Sequence, residues 1–304
     1  MEHIPVLLSE LVDSLNIKPD GIYVDMTLGG GGHAKKVLER LKTGMLIGID
    51  QDDFAIKYAN EILKDFDNKI IIKNNYKYIK QILEDLNIKK VDGIYMDLGV
   101  SSFQLDDYSR GFSYNNNATI DMRMNKENEI DGKYVINNLS EAEIYNILKN
   151  YGEERFAKNI AKNIIQYRNK KQIETTFELV EIIKKSIPKK NIDKNPAKRT
   201  FQAIRIYVND ELNVLSNALD TSVDLLNKNG RLSIITFHSL EDRIVKNKFR
   251  EFENPCTCPK NYPCVCGKKS KGFIVNKKIV IPTNDEIIKN SRAKSAKLRV
   301  FEKT

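Results

Sequence analysis

The chain has 304 residues, and 50 Lys and Arg against 41 Asp and Glu give it a formal net charge of +9. That length buries a sizeable core in one large or two modest domains, and the charge suits a partner that carries phosphates. No stretch approaches the roughly 20 apolar residues needed to span a membrane, and the start, MEHIPVLLSELVDSL, carries acids where a secretory leader would be basic; a cytoplasmic protein without a membrane partner is expected.

From residue 21 to 97 strand and helix signals alternate. GIYVDM, GMLIGID, KIIIK and VDGIYMDL are short apolar or β-branched runs. Between them HAKKVLERLK, QDDFAIKYANEILKDF and YKYIKQILEDLNI repeat their apolar residues at helical spacing. Such alternation predicts βαβ units and a parallel sheet covered by helices. Residues 101–139 are polar and irregular, and from about 140 to 227 the signals are helical, ending in one long run, AKRTFQAIRIYVNDELNVLSNALDTSVDLL. After the turn NKNG come a strand, RLSIITF, a helix, SLEDRIVKNKFREF, and late strands near GFIVNKKIVI and KLRVFEK. The fold class is therefore α/β: a Rossmann-like sheet domain, residues 1–105 and 217–304, interrupted by an α-helical insertion, residues 106–216.

The strand–glycine–helix run GIYVDMTLGGGGHAKKVL lets backbone N–H groups approach a ligand without intervening Cβ atoms. It lacks Gly-Lys-Ser/Thr and so is no triphosphate loop. Gly29, Gly31 and Ala34 do satisfy a relaxed G-x-G-x-x-A, which leaves a nicotinamide dinucleotide open beside S-adenosylmethionine. Asp50, 19 residues after Gly31 at the end of the second strand, is placed to accept hydrogen bonds from ribose hydroxyls, or else to cap the helix that follows. Asp25 reads as a strand-end turn residue and His33 as a helix cap or a ligand contact.

Asp97 ends the fourth strand, DGIYMDLGVSS, and ligands of open α/β sheets bind outside those carboxyl ends. It should face the glycine loop. Enzymes that methylate exocyclic amines carry an acidic or polar residue there, because acceptors on the N–H bonds localise a lone pair otherwise delocalised into the ring. A plain turn role for Asp97 is the competing reading.

In order along the chain, HIPVLLSE, DMTLGGGGH, GIDQD, DGIYMDLGVSSFQLDDYSRGFSY, DMRM, YGEERFAKNIAK, RTFQAIRIYVNDEL, GRLSIITFHSLEDRIVK and RAKSAKLRV resemble the bacterial small-subunit (16S) ribosomal RNA cytosine-N4 methyltransferase family. The resemblance implies a Rossmann-like S-adenosylmethionine-dependent methyltransferase fold and a decoding-region cytidine as methyl acceptor. It implies the small ribosomal subunit as partner, with no obligate protein partner evident. It also implies that Gly31, Gly32 and His33 contact the cofactor, Asp50 its ribose and Tyr76 its adenine, with Asp97 and Gln104 completing the set and Asp97 the catalytic residue. From the residues alone Tyr76 is a core aromatic. Many amino methyltransferases follow the acidic or polar residue with Pro-Pro and an aromatic; here Leu98, Gly99 and Val100 stand instead.

In SIITFHSLEDR, Ser239 and Asp242 have capping-box spacing, and His238 is either a substrate-site or a structural histidine. Lys184, Lys185, Lys189, Lys190, Lys194, Lys198, Arg199 and Arg205 form a basic strip suited to an RNA backbone or to a solvated surface. Cys256, Cys258, Cys264 and Cys266 form two C-x-C pairs that, in a reducing compartment, suit a tetrahedral thiolate zinc site more than disulfides; no metal is assigned to the catalytic site. Against the methyltransferase stand a nicotinamide-dependent oxidoreductase and a non-enzymatic ribosome-assembly factor.

Overall fold

The structure, a computed structural model, describes residues 5–191, 195–259, 261 and 265–304. Seven strands form one sheet: β1 Ile22–Asp25, β2 Met45–Asp50, β3 Lys69–Lys73, β4 Val91–Asp97, β5 Leu226–Thr236, β6 Gly272–Ile274 and β7 Lys297–Lys303. Their order is β3-β2-β1-β4-β5-β7-β6. β1 to β5 run parallel, and β7 is antiparallel to both β5 and β6. The direction of winding reverses between β1 and β4, so the ends of those strands flank the crevice where doubly wound sheets take ligands.

Strand residues alternate between two cores, one on each face of the sheet. Val24, Ile47, Ile94, Met96 and Ile234 join one cluster with Leu215, Leu219 and Phe249. Their neighbours Tyr23, Leu46, Tyr95 and Ile235 join the other with Leu11, Leu15 and Val37. This period-two exchange explains why the strands read as continuous apolar runs: both faces are covered.

The chain falls into two compact units, Met1–Gly99 with Leu212–Thr304, and Val100–Glu211. The divisions thus fall at 99/100 and 211/212, not at 105/106 and 216/217. Packing sets them: Val100 and Leu105 join the apolar cluster of the second unit, whereas Leu215 is buried against the sheet. The second unit is helical, with Glu141–Gly152, Ala157–Arg168, Thr176–Ser186 and Lys198–Val208 closing over Ile144, Ile160, Leu179, Phe201 and Ile204. Capping boxes at Ser140/Glu143 and Thr175/Glu178 start two of these helices.

Three local expectations are corrected. The long run after residue 197 is two helices, Lys198–Val208 and Glu211–Leu225. The break lies at Asn209, whose side chain accepts from Met124 N (2.7 Å) and donates to the carbonyls of Met122 and Arg205 (both 2.8 Å), and at Asp210, with φ of 49°. The irregular stretch 101–139 contains the helices Ser102–Asp106 and Gly132–Asn138. NKNG is no separate turn but part of β5, where the register against β4 slips between Val91↔Leu226 and Gly93↔Arg231. No helix of the described residues is long and apolar enough to cross a membrane.

Candidate active site

Three aspartates terminate the adjacent strands β1, β2 and β4: Asp25, Asp50 and Asp97. The loop after β1 is tied to both neighbouring strands, Met26 N donating to Tyr95 O and Leu28 N to Ile49 O (both 3.0 Å). It then turns through Gly31, whose φ of 75° strains any residue with a Cβ, into the helix Gly32–Leu38. Gly32 has a second cause that the sequence does not announce. A Cβ there would lie 2.3 Å from Cγ of Pro5, so the N-terminal segment itself requires the missing side chain.

Asp50 uses both carboxylate oxygens to hold backbone: Gly29 N donates to Oδ2 (2.8 Å) and Asp52 N to Oδ1 (2.9 Å). Capping of the next helix falls to Asp52, which accepts from Phe54 N (3.0 Å). Burial pushes the Asp50 carboxyl up to about 6 in spite of the N–H groups that favour its charged form. Tyr76 follows the neighbouring β3, where Asn74 N donates to Asp50 O (2.9 Å), and its ring packs partly buried against the core.

The Asp97 backbone N–H donates to Thr27 Oγ1 (2.7 Å), joining β4 to the loop after β1. Its carboxylate Oδ2 lies 3.7 Å from His33 Nδ1. Oδ1 is buried with no hydrogen-bond partner among the described residues. His33 Nε2 lies 3.0 Å from the Val6 carbonyl oxygen, which can only accept, so the proton sits on Nε2 and Nδ1 faces the acid. Burial, then the charges of Asp25 and Glu241, holds the Asp97 carboxyl well above the usual carboxylate range.

Asp25 does make the turn expected of it, accepting from Thr27 N (3.0 Å), but it is only 2% exposed. Burial first, and the charge of Asp50 among the lesser causes, pushes it to about 7; beside it the buried Tyr95 phenol is raised well above its ordinary value. Sequence reasoning missed Tyr95 and Thr27; the one available signal was a tyrosine at an inward position of an otherwise apolar strand. Gln104 belongs to the second unit, where it closes a capping box: its N–H donates to Ser101 Oγ (3.2 Å) and its Oε1 accepts from Ser101 N (3.1 Å).

The expected Ser239–Asp242 box is also corrected. His238 is the N-cap, with Glu241 N lying 3.4 Å from Nδ1, while Glu241, 3% exposed, accepts from Phe237 N (2.8 Å) and His238 N (3.3 Å). His238 Nε2 lies 3.0 Å from Glu241 Oε1 but without the alignment of a hydrogen bond. Asp242 instead pairs with Arg299 (2.7 Å) and Lys297 (3.1 Å). Ser239 and Asp242 lose the cap because the chain enters the helix one residue earlier.

Carboxyls raised in the folded state confer stability that is complete below their unfolded value and is lost as pH climbs through the folded one. For Asp25 that window runs from the ordinary 3.8 to about 7. Asp25→Asn removes the loss. Relative to the parent, the variant gains up to about 1.4 kcal/mol per pH unit across this window and a constant amount above it. Urea unfolding of both proteins between pH 4 and 8 measures the difference; parallel profiles would contradict the assignment.

The whole chain, residues 1–304, matches the MraW methylase family. The chain belongs to that family. The methylase is a transferase whose methyl donor is S-adenosylmethionine, and the oxidoreductase reading falls with the assignment. It is 60% identical over 305 residues, 99% of each chain, to a protein of Clostridium botulinum (strain 657 / Type Ba4) described as ribosomal RNA small subunit methyltransferase H. A protein of Lachnospira eligens with the same description is 56% identical over 307 residues, 99% of this chain and 98% of that one. Among solved structures, an rRNA methylase from Streptococcus thermophilus aligns over 100% of this chain and 99% of its own at 11% identity and a TM-score of 0.44.

The methylase's own residues fit a cationic nucleoside. Carboxylates end three adjacent strands, and one buried Asp97 oxygen is left without a partner beside them. No Lys or Arg is hydrogen-bonded to Asp25, Asp50 or Asp97 among the described contacts, so none of the chain's long cations competes there with a cationic ligand.

Proposed function

We propose that this methylase transfers the methyl group of S-adenosylmethionine to the N4 amine of a decoding-region cytidine in small-subunit (16S) ribosomal RNA, acting in the cytoplasm on the small subunit. The observation that carries the reading is Asp97: a carboxylate at the switch point with an unpartnered oxygen, in a chain 60% identical to a ribosomal RNA small subunit methyltransferase. When bound, the sulfonium supplies an electrophilic methyl group and a neutral leaving group.

The chain's contribution is placement and charge. Asp50 accepts the ribose hydroxyls with the lone pairs left over from its two backbone contacts. Gly31 and Gly32 keep side chains out of the loop, His33 holds the loop's helix to the Val6 carbonyl, and Tyr76 offers a ring face to the adenine. Asp97 accepts an amine N–H bond, which gathers the lone pair on nitrogen, and takes the proton that must leave once the nitrogen carries the methyl group. The amine has to be unpaired, so the cytidine is taken single-stranded or splayed out.

Phosphate contacts fall to exposed cations of the second unit. Lys184, Lys185, Lys189, Lys190, Lys198 and Arg199 are exposed. Arg205 leaves that strip, since its guanidinium forms a two-pronged pair with Glu211 (2.8 and 2.9 Å). Lys194 lies outside the described residues.

Incubation of the protein with labelled S-adenosylmethionine and small subunits lacking the modification, followed by digestion of the RNA, should yield labelled N4-methylcytidine. Folded, cofactor-bound protein that labels no cytidine would overturn the proposal and favour an assembly role.

A further inference from the structure

The helix Ser239–Glu253 and strand β6 are joined by an excursion that returns to its starting point. Lys271 N donates to the Phe252 carbonyl (2.8 Å), and Ser270 Oγ reaches the same oxygen (3.4 Å). The Lys271 ammonium also sits over the Phe252 ring, 5.4 Å from its centre. No described residue of the loop 254–270 is buried, and Val265 is 88% exposed. The described residues of this loop offer no buried apolar side chain to fix its conformation, and loops of this length are uncommon in compact domains unless they are functional or disordered.

Thiols converge inside it. The sulfurs of Cys256, Cys258 and Cys266 all lie within 4.8 Å of one another. A tetrahedral zinc–thiolate centre, with Zn–S of about 2.3 Å, places its sulfurs roughly 3.8 Å apart, so a small contraction brings the three onto one ion. Cys256 and Cys258 come from the outgoing limb and Cys266 from the returning one, which makes the ion a cross-link between the limbs. Soft sulfur donors select zinc over magnesium or calcium. A disulfide would join only two of the three sulfurs and would need them at about 2.05 Å.

We propose that Cys256, Cys258 and Cys266 are ligands of a structural zinc ion that staples the 254–270 loop. The ion lies outside the methyl-transfer chemistry and lends it no step. Cys264, the remaining cysteine, lies outside the described residues.

The test uses the full chain, purified under reducing conditions without chelator. Elemental analysis should find about one zinc per chain, and exchange for Co²⁺ should give a sulfur-to-cobalt charge-transfer band. Cys258→Ser should lower zinc retention at least about tenfold. Chelation should speed tryptic cleavage at Lys268 and Lys269, and added ZnCl₂ should reverse it. S-adenosylhomocysteine binding reports folding independently, so a misfolded variant is recognised and Cys256→Ser then takes its place. Protein that binds S-adenosylhomocysteine but takes up no zinc from an equimolar solution overturns the proposal. So does a Cys256→Ser/Cys258→Ser double variant that holds as much zinc as the parent, or a disulfide in the freshly isolated chain.

Discussion

Asp97→Asn lowers methyl transfer by about 10²- to 10³-fold while S-adenosylhomocysteine affinity changes little. The amide keeps the shape of the side chain, and the link from Asp97 N to Thr27 Oγ1 is backbone and survives. What is lost is a negative charge at the place where positive charge develops, an effect of that size when a preorganised group is removed, together with the only proposed acceptor for the departing proton. The pH profile carries the sign. Burial and the neighbouring charges of Asp25 and Glu241 raise the Asp97 carboxyl, and only its ionised form accepts an N–H bond and a proton. Transfer by the parent enzyme therefore rises with pH through the Asp97 value. Asp25→Asn removes one of the like charges, so the rise should move to lower pH. Single-turnover rates on small subunits measure both effects; full activity in Asp97→Asn, or a profile unmoved by Asp25→Asn, would remove Asp97 from the reaction.

The placement of these acids was legible because a strand's last residue is visible in sequence. Asp50 and Asp97 each close an apolar run, and parallel topology puts such ends on one edge of the sheet. Short apolar or β-branched runs set between helically spaced segments sufficed for β1 to β4, since local pattern and tertiary burial there agree. Side-chain bonds between distant positions were not legible. Asn209 breaks a helix by holding Met122 and Met124, more than 80 positions earlier. Arg205 reads as a surface cation in a basic run until Glu211 is seen folded back onto it. The cap at His238 escaped for another reason: Ser-x-x-Asp offers a plausible box one residue later, and only the burial of Glu241 decides between them. Gly32 shows the opposite confusion, where a ligand-shaped motif answers in part to the ring of Pro5. The Asp25 charge adds to burial in raising the Tyr95 phenol, an effect no spacing rule announces, because their adjacency crosses from β1 to β4.

Asp50→Ala should weaken S-adenosylhomocysteine binding by about 10²- to 10³-fold. Hydrogen bonds to a charged acceptor contribute about 1.5–3 kcal/mol each, and the proposed ribose contact supplies two of them. The truncation also strips an acceptor from Gly29 N and Asp52 N, so the loop that forms the cleft loosens as the contact disappears. Asp50→Asn separates these effects: one oxygen remains for the loop, and binding should fall only about tenfold. Protonation performs a related experiment on the unaltered chain. The Asp50 carboxyl titrates at about 6 in the folded protein; above that value it is charged and accepts, and below it one oxygen becomes a donor. Affinity should therefore hold steady from pH 8 to 7 and drop as pH falls through 6, by up to tenfold per unit, with the Asp50 contribution to this slope absent in Asp50→Asn. Titration calorimetry at each pH would show it. A parent and an Asp50→Asn variant with the same slope would mean that another acid governs the cleft, and Asp25, on the neighbouring strand and raised to about 7, would be the group to replace next.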